Sequence, residues 1–142
     1  MPTSTTTEPH QAVGYRVLFV DDDFNWRAVM RILLEEKGYE VETAEDGREA
    51  WLRICAAMRG TAKGYDIVVT DLDMPRLDGM ELIRMIRKVG FAIRLLVYTG
   101  KLSPARRIVL EALSVDAAVE KGMESDELLN LIGNIAKMPG GN

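Results

Sequence analysis

The 142-residue chain has one cysteine and one histidine. A lone Cys55 rules out an internal disulfide and any multi-cysteine metal site, and it reads as a small buried residue of a reducing compartment. The single histidine, His10, lies in a Thr-, Ser- and Pro-containing leader, "MPTSTTTEPHQAVG", and receives no site role. That leader lacks a basic region followed by an apolar one, so it does not read as a secretory signal. It buries too little to offset its ordering entropy, and residues 1–14 are expected to form a disordered tail. No apolar run reaches membrane-spanning length, which makes the cytoplasm the expected compartment. A formal net charge of −4 disfavours a nucleic-acid partner. Aromatic residues are only 6% of the chain, and they fall with the methionines at helical spacing, which suits a core better than a cofactor contact.

What is present is an alternation of strand and helix patterns. "YRVLFVD" is a short apolar, β-branched run, and "FNWRAVMRILLEEKG" follows with Trp26, Val29, Met30, Leu33 and Leu34 on one helical stripe. Gly38 stands where a helix C-terminal glycine belongs. "YEVETA" alternates with period two, and "DGREAWLRICAAMRG" is a helix with Trp51, Ile54, Cys55 and Met58 inward. "YDIVVTD" is the most continuously apolar strand and is expected at the centre of the sheet. Pro75 and Gly79 punctuate the loop "LDMPRLDG", and "GMELIRMIRKVG" gives the third helix. "AIRLLVYTG" is a fourth strand, and "SPARRIVLEAL" a helix capped by Ser103 with Pro104 as its first residue. "VDAAVEK" and "SDELLNLIGNIAK" complete the set. Five strand–helix units with short connections predict one α/β domain over 15–138, built on a parallel sheet with right-handed crossovers. Residues 139–142 are left as a C-terminal tail.

Ligands of an open α/β sheet bind at the carboxyl ends of its strands, near the switch in strand order. Those ends carry Asp21, Asp22 and Asp23 after the first strand, Asp71 after the third, Thr99 on the fourth and Lys121 after the fifth. Taken singly, each has a bland reading. The acids of the first loop sit where a helix N-terminus stabilises negative charge, Asp71 and Asp78 suit turn or cap positions, and Lys121 suits a solvated loop. Taken together at strand ends, they read as one site, with Asp23 set aside as the cap of the first helix. Clustered carboxylates raise one another's pKa unless a cation neutralises them, and hard oxygen donors without histidine or cysteine suit magnesium. Magnesium beside a carboxylate, a hydroxyl and a lysine fits phosphoryl transfer, with a carboxylate as nucleophile.

The pieces "LFVDDDF", "VVTDLDMPRLDG", "LLVYTG" and "VEKG", in that order, resemble a response-regulator receiver domain of two-component signalling, of the chemotaxis-regulator kind. The resemblance implies a doubly wound, flavodoxin-like, five-stranded parallel sheet in the order 2-1-3-4-5. It implies that Asp21 and Asp22 hold magnesium, that Asp71 is the phosphoacceptor and a metal ligand, and that Asp73 supplies a backbone carbonyl to the metal. Thr99 corresponds to the switch hydroxyl and Lys121 to the lysine that pairs with the phosphoryl group. The donor is implied to be a phosphohistidine on a sensor kinase or histidine phosphotransfer protein, and the readout an unidentified protein target. In the family, side chains at the positions of Asp73 and Lys101 tune the lifetime of the phosphoryl group.

Two positions depart from the pattern. Gly122 stands where the family usually has proline, often after a cis bond, and Ala118 stands where it often has an aromatic switch residue. Tyr98 lies nearby in sequence. The resemblance implies a stand-alone signalling receiver, not an enzyme, that assists its own phosphorylation and dephosphorylation. Two alternatives stand beside it. One is a small phosphatase with Asp71 as nucleophile and Asp73 as acid, against which stand Pro75 and the motif's position after the third strand. The other is a degenerate receiver that only binds partners.

Overall fold

The computed structural model describes residues 14–138; the tails expected over 1–14 and 139–142 therefore lie outside the described residues except for Gly14. In chain order the elements are β1 (Arg16–Val20), α1 (Phe24–Glu36), β2 (Glu40–Ala44), α2 (Gly47–Met58) and β3 (Ile67–Thr70). They continue with α3 (Gly79–Lys88), β4 (Arg94–Thr99), α4 (Pro104–Ala112), β5 (Ala117–Glu120) and α5 (Ser125–Ala136). All strand pairings are parallel and the sheet order is β2-β1-β3-β4-β5. β3 is buried at every position, as its unbroken apolar run predicts, and β5 at the edge is only half-buried.

The period-two side-chain alternation of the strands divides the core into two layers. Val17, Phe19, Ile67, Val69, Leu96 and Tyr98 face one way and pack with Met30 and Leu34 of α1 and with Leu128 and Ile132 of α5. Leu18, Val20, Val68, Leu95 and Val97 face the other way, against Ile54 of α2, Leu82, Ile83 and Ile86 of α3, and Leu110 of α4. Each such fully buried aliphatic side chain contributes about 1.5–3 kcal/mol of burial free energy.

Local signals set the ends of the helices. The Asp23 carboxylate accepts from the Trp26 N–H, Asp46 from Glu49, Asp78 from Glu81, and the Ser103 hydroxyl from Arg106. α1 stops at Gly38, whose φ of +99° is open to glycine without a Cβ penalty. The Gly38 and Tyr39 N–H groups then return to the Glu35 and Leu34 carbonyls.

Three expectations need correction. Val29 of α1 and Met58 of α2 are exposed, and Cys55 is half-buried. In both helices the apolar stripe is wider than the contact with the sheet. Met30 and Leu34 carry α1, and Ala50 and Ile54 carry α2. Among the described residues, no helix is long and apolar enough to cross a membrane.

Candidate phosphoacceptor and metal site

The sheet ladder itself aligns the site. Val20 pairs with Ala44 on one side and with Thr70 on the other, so the residues that follow β1 and β3 emerge at one level. The ladder continues one step past the strands: Asp21 N–H donates to the Ala44 carbonyl (3.1 Å), Asp71 N–H to Val20 (3.0 Å) and Lys121 N–H to Thr99 (2.8 Å). Asp21, Asp71 and Lys121 are thereby fixed by backbone, with only their side chains left to orient.

Asp71 is buried, and each carboxylate oxygen has partners. Oδ1 accepts from the Thr99 hydroxyl (2.7 Å), the Leu72 N–H (2.6 Å) and the Asp73 N–H (3.2 Å). Oδ2 accepts from the Lys121 ammonium at 2.8 Å, and the same ammonium lies 3.0 Å from Asp21 Oδ2. Asp21 is also buried. Its Oδ1 accepts from the Asp23 N–H (2.9 Å), and its backbone carbonyl accepts from the Arg27 guanidinium (2.7 Å). Burial pushes the Asp21 carboxyl above its ordinary value, with the neighbouring Asp71 charge adding to it and Lys121 opposing. Burial disfavours the charge on Lys121, but its bonds to Asp71 and Asp21 outweigh that effect and raise its pKa.

Asp22 is exposed at the rim, and one oxygen each of Asp21, Asp22 and Asp71 lie within 4.8 Å of one another. Three carboxylates with one ammonium leave surplus negative charge at the sheet end. A hard all-oxygen donor set of this spacing fits a divalent cation such as magnesium. Asp23, set aside as a helix cap, caps α1 through Trp26.

The loop "LDMPRLDG" wraps tightly below Asp71. Gly79 N–H donates to the Leu72 carbonyl (3.0 Å), and a Cβ on Gly79 would stand 1.9 Å from the Asp71 carbonyl oxygen. Gly47 at the start of α2 is similarly confined by the Leu77 carbonyl, to which its N–H donates (2.9 Å). Arg76, at φ +67°, pairs with the buried Asp46 carboxylate and with Glu45 (3.3 Å), tying this loop to the start of α2.

Sequence reasoning missed Arg106. Its guanidinium grips both oxygens of Asp73, one at 3.2 Å and one at 2.5 Å, and donates to the Lys101 carbonyl (2.9 Å). The Asp73 carboxyl is held below its ordinary range chiefly by Arg106, with burial opposing. Its Oδ2 lies 3.5 Å from the Thr99 hydroxyl, on the same side as Asp71. The Ser103 cap was legible and places Arg106 in the first turn of α4, but what that turn faces depends on the neighbouring loop.

The departures also resolve into geometry. Among the described residues no peptide bond is cis, and Gly122 adopts φ +122°, in the left-handed half of backbone space. Ala118 is half-buried beside α4, whereas Tyr98 is buried in the opposite layer with its ring centroid 6.0 Å from that of Trp26.

The chain matches the family model of the response regulator receiver domain over residues 17–133. It is 40% identical over 114 residues to the response regulator MprA of Mycolicibacterium vanbaalenii, an alignment covering 80% of this chain and 47% of that protein. The chain thus spans about half the length of such curated relatives. Among solved structures it is similar to the chemotaxis protein CheY4 of Vibrio cholerae, with a TM-score of 0.73 and 30% identity over 87% of this chain and 99% of that one. It is also similar to the response regulator TrrA of Thermotoga maritima, solved in complex with Mg(2+)-BeF, with a TM-score of 0.68 and 31% identity over 85% of this chain and 98% of that one. With the sheet order, the family match and these relatives in agreement, the chain belongs to the response-regulator receiver domains of two-component signalling.

Proposed function

We propose that Asp71 accepts a phosphoryl group from a phosphohistidine on a sensor kinase or histidine phosphotransfer protein, in a magnesium-dependent reaction. The observation that carries this is the setting of Asp71. It is a buried carboxylate with a hydroxyl at 2.7 Å, an ammonium at 2.8 Å and two further acids within 4.8 Å. One Asp71 oxygen attacks phosphorus, the P–N bond of the donor breaks with its electron pair left on the imidazole, and an acyl phosphate forms. Asp21, Asp22, Asp71 and the backbone carbonyl of Asp73 would hold the cation. Magnesium, when bound, supplies positive charge against the phosphoryl oxygens. Lys121 offsets the remaining charge, and Thr99 turns its hydroxyl from Asp71 to a phosphoryl oxygen.

That turn displaces the strand end and the β4–α4 loop. With Ala118 in place of an aromatic, and Tyr98 packed on Trp26 in the other layer, the change reaches a protein-binding surface through α4 and its loop. Engagement of the Asp73 carboxylate by Arg106 counts against its serving as the acid of a phosphatase. Incubation with magnesium and acetyl phosphate, read by intact mass, tests the proposal. One phosphate is expected on the wild-type chain and none on Asp71→Asn. Equal labelling of both, or no labelling of either, overturns it.

A further inference from the structure

The acceptor pocket carries an acid that the reaction does not need as an acid. The Asp73 side chain is exposed at the mouth of the site, 3.5 Å from the Thr99 hydroxyl that itself bonds Asp71. An incoming phosphoryl donor brings at least one further negative charge to this spot, so an unpaired Asp73 would repel it. Arg106 meets both Asp73 oxygens and is anchored by the Lys101 carbonyl, which joins the β3–α3 loop to the β4–α4 loop. Arg106 does this from the first turn of α4, where the helix dipole disfavours a cation and where α4 supplies no acidic residue of its own, so the balancing charge comes from Asp73 of another loop. A local rule broken at the rim of a site points to a role in that site.

We infer that Arg106 is a positioning residue for phosphorylation, which neutralises Asp73 and holds its carboxylate aside from the path of the phosphoryl donor. The inference rests on Asp71 being the phosphoacceptor. In the reaction with acetyl phosphate, an Asp71 oxygen bonds phosphorus, the P–O bond to the acetyl group breaks, and acetate leaves with the electron pair. Arg106 takes no part in bond making; it sets the charge that the donor meets. The pair is partly solvated, so its effect is modest and falls as salt rises.

The test measures initial labelling rates with magnesium and acetyl phosphate in the full chain, across donor concentration and at low and high salt. The chains compared are wild type, Arg106→Ala, Arg106→Lys, Asp73→Asn and the double variant Asp73→Asn/Arg106→Ala. Arg106→Ala is expected to slow labelling by roughly threefold to tenfold at low salt and by less at high salt. The loss should appear mainly in the dependence on donor concentration, and Arg106→Lys should restore part of it. In the Asp73→Asn background, removing Arg106 should change the rate by less than about twofold, because there is no charge left to neutralise. Faster labelling of Arg106→Ala, or an equal slowing with and without the Asp73 charge, overturns the inference while leaving the acceptor role intact. Absence of labelling in wild type, or labelling that survives Asp71→Asn, overturns the acceptor role and the inference together.

Discussion

A methyl group on Gly79 would stand 1.9 Å from the carbonyl oxygen of Asp71 and 2.9 Å from Leu72 Cα. Both neighbours are backbone at the end of a fully buried strand, so neither yields without moving Asp71. Gly79→Ala is expected to cost about 1–3 kcal/mol in urea denaturation, in the range of overpacked sites, and to slow labelling of Asp71 in the same chain. Unchanged stability in that variant would mean that the loop can swing clear of the strand. In the sequence Gly79 shows as loop punctuation and as the end of the piece "VVTDLDMPRLDG". Its physical reason, contact with a residue eight positions earlier, exists only once the loop has folded back. The three consecutive acids are the opposite case. Asp23 as cap was legible from its place before the helix, and burial of Asp21 beside an exposed Asp22 then follows from strand register.

Among the elements, α2 depends on a cap with an added ion pair. The buried Asp46 carboxylate accepts from the Glu49 N–H at 2.8 Å and pairs with Arg76 from the β3–α3 loop. Burial would raise its pKa, but these partners hold it below the ordinary 3.8. A depressed folded-state pKa stabilises the fold above the unfolded value, and that contribution disappears as pH falls through the folded value. Asp46→Asn keeps a capping oxygen but loses the charge. It should cost about 1–2 kcal/mol at pH 7, and the gap to wild type should close as acid denaturation is followed below pH 3.8. A gap that persists at low pH would assign the loss to packing. The β5–α5 connection depends on backbone conformation instead. Proline fixes φ near −65°, far from the +122° of Gly122, so Gly122→Pro is expected to lower the thermal midpoint and not to restore a family-like loop. An unchanged or raised midpoint would refute this.

For the molecule as a whole, the concentration of acids at one sheet end predicts that stability rises when a divalent cation is added. Lys121 neutralises only part of the charge of Asp21, Asp22 and Asp71. A ligand that binds only the folded chain adds about 1.4 kcal/mol at ten times its dissociation constant, which at this size is a thermal shift of several degrees. Magnesium should therefore raise the midpoint of wild type. Asp22→Ala should start higher in metal-free buffer, because repulsion is relieved, and should gain less on adding magnesium. Equal gains in the two chains would remove Asp22 from the metal site.

Much of this protein was written locally. The apolar runs, the caps at Asp23 and Ser103, and the glycine at 38 determine where the ten elements of the described residues lie, because these signals act within a turn or a strand. The strand ends marked where the candidate site lies, since a parallel sheet presents its functional groups there, and Asp21, Asp71, Thr99 and Lys121 do converge. Tertiary structure decided what depends on residues distant in sequence. It determined which apolar residues the sheet covers, leaving Val29 and Met58 exposed, and how closely Gly79 meets Asp71. It also set the pairing of Arg106 with Asp73 across 33 positions, because that contact depends on the packing of α4 against a loop from another unit.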